Sequence, residues 1–341
     1  MIAAVAALVV PLPAVLVERW HAHVYLALQP TITAFSSRVP FSWLDVLIVV
    51  VLAWLLASWL RPLTRRARGR RVWLLARAAW RTLATAAVLY LVFLGVWGLN
   101  YQRSPLETRL AYDGSRVDRR AVARLGEIAV DELNALHARA HATPWPADTE
   151  WPQRSGAAFA DVQRLLGASR VAVPAPPKWT LLGPYFTRAS VAGMTDPFFL
   201  EVMITPDALP FERPAILAHE WGHLAGYAHE AEAEFVGWLT CVRGDDQSRY
   251  SAWLSVFPRL PREVRARVGP RVGPGPRADF EAIRARMERA SPTVTRWAWS
   301  GYDRFLKAHH VEEGVASYDA VITLLAATTF DEGWRPKLDG R

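Results

Sequence analysis

The chain has 341 residues, 52% of them hydrophobic, and a formal net charge of +8 from 40 Lys and Arg against 32 Asp and Glu. Eight arginines in residues 61–81, with no acid among them, account for that whole excess, so the basic balance does not indicate nucleic-acid binding. The one cysteine, Cys241, excludes an intramolecular disulfide and reads as a small buried residue.

Residues 1–17 are apolar but short for a span, contain Pro11 and Pro13, and lack the basic start of a signal peptide. They read as a retained helix rather than a cleaved leader. Residues 18–42 follow as a loop with Trp20, Tyr25 and Phe41 near a membrane interface. Residues 43–60 carry a single charge near one end and residues 82–99 carry none, which is the composition of two membrane spans. The arginine-rich loop 61–81 between them holds Arg61, Arg65, Arg66, Arg68, Arg70, Arg71, Arg77 and Arg81. By the positive-inside rule it is cytoplasmic, and the second span returns residues 100–341 to the extracytoplasmic side of the plasma or inner membrane. The expected division is therefore a membrane region, 1–99, and one extracytoplasmic domain, 100–341.

Within that domain, Val122, Leu125, Ile128, Ala129, Leu133 and Leu136 recur at helical spacing over 116–140, and a second helix is expected at 157–167. Prolines punctuate 172–184, and short runs of Tyr, Phe, Val and Ile over 185–205 predict turns and strands. Residues 258–277 form a proline-rich connector. Helices are predicted at 278–290 and, in two pieces broken around His310, over 303–329.

The chemistry concentrates at His219-Glu-Trp-Gly-His223. Four residues apart on a helix, His219 and His223 present two imidazoles on one face to a metal ion, with Glu220 beside them. Pro214 suits the first turn of that helix and Gly226 its left-handed exit into a second helix over 229–242. Glu230, Glu232 and Glu234 compete for the third ligand position. Glu232 shares the apolar stripe of Phe235, Val236 and Leu239 and is ranked first, because a carboxylate facing the interior needs a cation; Glu230 and Glu234 read as solvated. Two imidazoles and one carboxylate suit Zn2+ and leave a coordination position for water, which Glu220 would deprotonate as general base. Charges at Glu212 and Arg213 place this helix outside a membrane span.

Weaker candidates are Tyr318 as an oxyanion donor, His309 and His310 in the same role, as metal ligands or, in preference, as exposed residues at a helix end, and His229 at the surface. Glu201 reads equally as part of a substrate-pairing strand or as a structural carboxylate. Tyr185, Phe186 and Phe198 are candidates for a subsite or for the core.

Ala192-Gly193, Asp196-Pro197, Glu201, His219-Glu-x-x-His-x-x-Gly226, Glu232-Ala-Glu-Phe235, Phe305-Leu-Lys and Glu313-Gly-Val-Ala-Ser-Tyr318 together resemble domain-of-unknown-function family 3810, bacterial membrane-anchored proteins regarded as zinc metallopeptidases. The resemblance spans nearly the whole chain. It implies a mainly α protein whose transmembrane helices precede an α+β, zincin-like (gluzincin-like) domain, with a short strand before the active-site helix. It also implies His219, His223 and Glu232 as ligands and Glu220 as base. Glu234 departs from the Glu-Ala-Asn pattern expected there. The reading is a zinc metallopeptidase acting on a peptide or protein substrate outside the bilayer. The alternative is a non-catalytic zinc-binding receptor or envelope assembly protein.

Overall fold

The computed structural model describes residues 12–64, 70–309 and 320–339. Helix α1 (Ala14–Trp20) runs through one π turn (His21–Tyr25) into α2 (Leu26–Ser36), where a loop was expected. The stripe that buries this helix is largely polar, which is why apolar periodicity misses it: His21, Tyr25, Gln29, Thr33 and Ser36 are all buried. Each finds a partner, as buried polar groups must. Tyr25 Oη donates to Leu224 O (2.7 Å), Gln29 brackets the Val173 peptide (2.8 and 2.9 Å), and Thr33 Oγ1 donates to Leu200 O (3.0 Å).

Helices α3 (Trp43–Leu60) and α4 (Arg71–Val96) are both long and apolar enough to cross a membrane. They pack on each other, and Trp59 Nε1 donates to Thr82 Oγ1 (3.1 Å). Helix α4 starts eleven residues before the span expected at 82, so Arg71, Arg77 and Arg81 are helical rather than in a loop. Arginine stems extend along apolar surface while their heads stay polar. Here the guanidinium groups of Arg77 and Arg81 lie 5.1 and 5.2 Å from the Trp73 and Trp54 rings.

The start of α3 is fastened to the rest of the protein by carboxylates. Ser42 caps it through Leu44 N (3.1 Å), and Glu201 Oε2 accepts from Ser42 Oγ (3.0 Å) and Trp43 N (2.9 Å). Asp45 accepts from Thr180 Oγ1 (2.9 Å) and Leu181 N (2.7 Å). Glu201 is therefore a structural carboxylate, paired with buried Lys178 at 2.5 Å.

The remainder is mostly helical, and helices make up 69% of the described residues. Helices α5 (Arg119–Ala140, capped by Asp118) and α6 (Trp151–Leu165) stand near the predicted positions. A short helix α7 (Gly183–Ala189) leads into the antiparallel hairpin β1 (Gly193–Asp196) and β2 (Glu201–Ile204), with Gly193 opposite Ile204. Asp196 turns the hairpin by accepting from Phe198 N and Phe199 N (3.0 and 2.8 Å). Then come α8 (Arg213–Leu224), α9 (Glu230–Val242), α10 (Asp246–Val256), α11 (Arg262–Val268), α12 (Pro274–Met287), α13 (Pro292–Ala308) and α14 (Ala320–Ala327). A minimal hairpin, β3 (Phe330–Asp331) and β4 (Arg335–Pro336), follows. The connector at 258–277 thus contains a helix. The sheet content among the described residues is two separate two-stranded hairpins.

One apolar core runs through the molecule and does not stop at residue 100. Tyr25, Leu26, Phe93, Leu94 and Trp97 belong to the same buried cluster as Leu133, Phe159, Trp221, Phe235, Trp238 and Trp253.

Helices α8 and α9 touch at two glycines. A Cβ at Gly222 would lie 2.7 Å from Ala233 O, and one at Gly237 2.7 Å from His219 N. Both obstacles are backbone, so the helices must part to admit a methyl group. Gly222→Ala and Gly237→Ala are each expected to destabilise by about 1–3 kcal/mol. Gly301→Ala, on a helix with open space around it, should be neutral or stabilising, and thermal unfolding of the three variants checks the contrast.

Candidate metal centre

Helix α8 begins with Pro214 in its first turn, where a missing N–H costs nothing, and carries His219, Glu220 and His223 on its last two turns. Gly226 takes φ +78° and turns the chain into α9, whose first residue is Glu230. A side chain at 226 would strike His21 and Asn100, so the turn needs glycine for space as well as for backbone angle.

The carboxylate that meets the histidine pair is Glu230. Its Oε2 lies 3.2 Å from His219 Nε2 and 3.5 Å from His223 Nε2. Glu232, ranked first from the sequence, lies elsewhere: it is half-buried and its Oε1 accepts from Leu106 N (2.7 Å). The ranking assumed that α9 buries one face. In fact every residue of α9 except Glu232 is buried, so a stripe of Phe235, Val236 and Leu239 carries no information about which acid points at the histidines.

The surroundings fix the orientation of each side chain in the cluster. His223 Nδ1 lies 2.8 Å from Tyr227 O; a carbonyl only accepts, so Nδ1 carries the proton and Nε2 turns its lone pair inward. His219 Nδ1 lies 3.1 Å from Glu234 Oε2, which also meets Arg259 at 3.1 Å. Glu234 is therefore not solvated: the residue that departs from the family pattern backs a histidine. Tyr302 Oη, on α13, donates to Glu230 Oε1. Trp97 Nε1, one residue past the end of α4, donates to His223 O (3.0 Å).

Charge at this centre is strongly coupled. Burial pushes the Glu230 carboxyl up, but His223 and His219 outweigh it and hold it well below the usual carboxylate range. Burial likewise opposes ionisation of Glu234, which Arg259 and His219 bring down to about 2. His219, lowered by burial, is raised by Glu230 and Glu234 to about 10. The two acids thus demand positive charge among the imidazoles.

A divalent ion meets that demand. Glu230 Oε2 is buried without a well-directed hydrogen-bond donor, and the three ligand atoms lie within 4.8 Å of one another. Ligands about 2.0–2.1 Å from a tetrahedral ion stand about 3.3 Å apart, close to the spacings seen here. His219, His223 and Glu230 therefore fit a zinc-class ion.

Glu220 is buried beside this centre, its Oε2 accepting from Thr195 Oγ1 (2.8 Å) on β1. The same Oγ1 lies 2.9 Å from Glu220 O, so its one proton is shared between the two acceptors. A Cβ at Gly193 would lie 2.5 Å from Glu220 Oε1, so the glycine makes room for the carboxyl against the strand. Burial raises the Glu220 carboxyl and the nearby His219 and His223 moderate the rise.

Of the remaining candidates, His309 is buried among Phe93, Phe305 and Tyr101 with Nδ1 2.8 Å from Phe305 O, where exposure was expected. His229 is partly buried and precedes α9. Phe186 is core and Tyr185 exposed. Tyr318, His310 and the Glu313–Tyr318 segment lie outside the described residues. Glu230 is a candidate in the sequence but ranks below Glu232 there, and Tyr302, Thr195 and Trp97 are not singled out as part of the site. The last three lie far from the motif and no local pattern marks them.

Fold and site together define a mostly helical protein with two membrane-length helices and a two-histidine, one-carboxylate cluster beside a buried glutamate. The chain belongs to the family described as protein of unknown function (DUF3810), which matches residues 20–326. No curated protein and no solved structure matches it.

Proposed function

We propose that this protein is a membrane-anchored, zinc-dependent hydrolase of peptide bonds, with a gluzincin-like site facing the extracytoplasmic space. The observation that carries the reading is the convergence of His219, His223 and Glu230 on one point, with the Glu220 carboxyl on the same helix turn. His219, His223 and Glu230 would hold the ion, and Glu234 and Tyr227 O would keep the two imidazoles aimed at it. When bound, such an ion polarises a carbonyl and makes water acidic enough to act near neutrality. Glu220 Oε2 takes the proton of the attacking water and delivers it to the leaving nitrogen, while Thr195 Oγ1 steadies the carboxyl. Three protein ligands favour a catalytic over a purely structural ion, which commonly has four. The arginines at the other end of the two long helices support a cytoplasmic position for that end, and with it an extracytoplasmic position for the centre.

The test uses the full chain in detergent or lipid discs, with bound zinc and peptide hydrolysis measured for the parent and for Glu220→Gln. The expected result is equal zinc in both and a kcat lower by about 10²–10⁴ in the variant. Equal turnover would remove Glu220 as base. Zinc without turnover in the parent across a broad peptide library would favour a receptor.

A further inference from the structure

A second group of side chains, sharing no residue with the first, has the same chemical character. His137, on the last turn of α5, and His141, four residues on at its C-cap, face Asp279 on α12, and their ligand atoms lie within 4.8 Å of one another. Both Nε2 atoms aim at one carboxylate oxygen: Asp279 Oδ2 is 3.0 Å from His141 Nε2 and 3.6 Å from His137 Nε2. The mean of these distances is that of ligands about 2.0–2.1 Å from a shared tetrahedral ion. We propose that His137, His141 and Asp279 form a second binding site for a zinc-class divalent ion, which clamps α5 to α12.

Outer contacts prepare the group for this role. Tyr250 Oη, from α10, donates to the same Asp279 oxygen at 2.5 Å, the kind of hydrogen bond that orients a ligating carboxylate. The His137 ring lies against Gly275, where a Cβ would be 2.3 Å from His137 Cε1, so the first turn of α12 holds it in place. Trp145 and Phe211 border the His141 ring at 5.5 and 5.9 Å. The two imidazoles stack with centroids 4.4 Å apart, so each ring supports the other's orientation. Their side chains are 26% and 30% exposed while that of Asp279 is 11% exposed, leaving a route for an ion and a position for water. Two imidazoles and a carboxylate select Zn2+, Co2+, Ni2+ or Cu2+ over Ca2+ and Mg2+.

The experiment strips the full-length protein with chelator, reloads it with Zn2+ and counts zinc per chain. The parent should hold two ions, His141→Asn one, His223→Asn one, and the double variant none. In a Glu230→Gln background, Zn2+ should still raise Tm, and replacing His141 should abolish that rise; Asp279→Asn serves as the second variant. One zinc per chain in the parent, lost with His223→Asn and unaffected by His141→Asn, would overturn the second site. One zinc lost with His141→Asn and kept in His223→Asn would support the second site and instead sink the first.

Discussion

Glu230→Ala is expected to strip zinc from the His219 centre, whereas Glu232→Ala leaves it bound. The two acids are separated by a single residue, but only Glu230 places an oxygen within 3.5 Å of both imidazole Nε2 atoms. Loss of an outer-shell partner of a metal site costs 10–100-fold in affinity, so removal of a direct ligand should exceed that. Glu232→Ala instead deprives Leu106 N of a charged acceptor, at a cost of about 1.5–3 kcal/mol in stability. Zinc titration of the chelator-stripped proteins, read beside their unfolding curves, separates the two outcomes. Retention of zinc by Glu230→Ala and its loss from Glu232→Ala would reverse the ligand assignment.

Glu201→Ala should cost about 3–5 kcal/mol, the effect of removing one member of a buried ion pair. Lys178 would remain with its ammonium group buried and only the carbonyls of Ser36 and Phe41 for partners. The same change removes the carboxylate that holds Ser42 and Trp43 at the head of the first membrane-length helix. A double change, Lys178→Met with Glu201→Leu, leaves no unpaired charge and should recover a large part of the loss. Thermal unfolding in detergent reads both; a Glu201→Ala protein as stable as the parent would show that the pair contributes nothing.

What could be read from the sequence followed from the kind of force involved. The two long apolar segments, the His219–His223 spacing, the left-handed Gly226 and the helix containing Leu125, Ala129 and Leu133 all express local periodicity or local backbone need, and they stand as expected. Residues 18–36 were missed because their buried stripe is polar and hydrogen-bonds to distant segments, a pattern that hydrophobic spacing does not register. The sequence ranks Glu232 where the structure brings Glu230 to the histidines for the opposite reason: α9 is buried on nearly all sides, so amphipathicity no longer distinguishes its faces. The position of Glu230 beside the histidines follows from where the Gly226 turn delivers the helix start. Tyr302 and Trp97 arrive from segments remote in sequence.

The bond from Trp97 to His223 O means that the histidine-bearing helix and the two membrane-length helices are not separable parts. A fragment beginning at residue 100 would lack that indole, the Tyr25 hydroxyl on Leu224 O and the His21 ring against the Gly226 turn. Trimming the chain ahead of residue 100 would therefore remove packing and hydrogen bonds on which the His219–His223 helix and its exit turn rest.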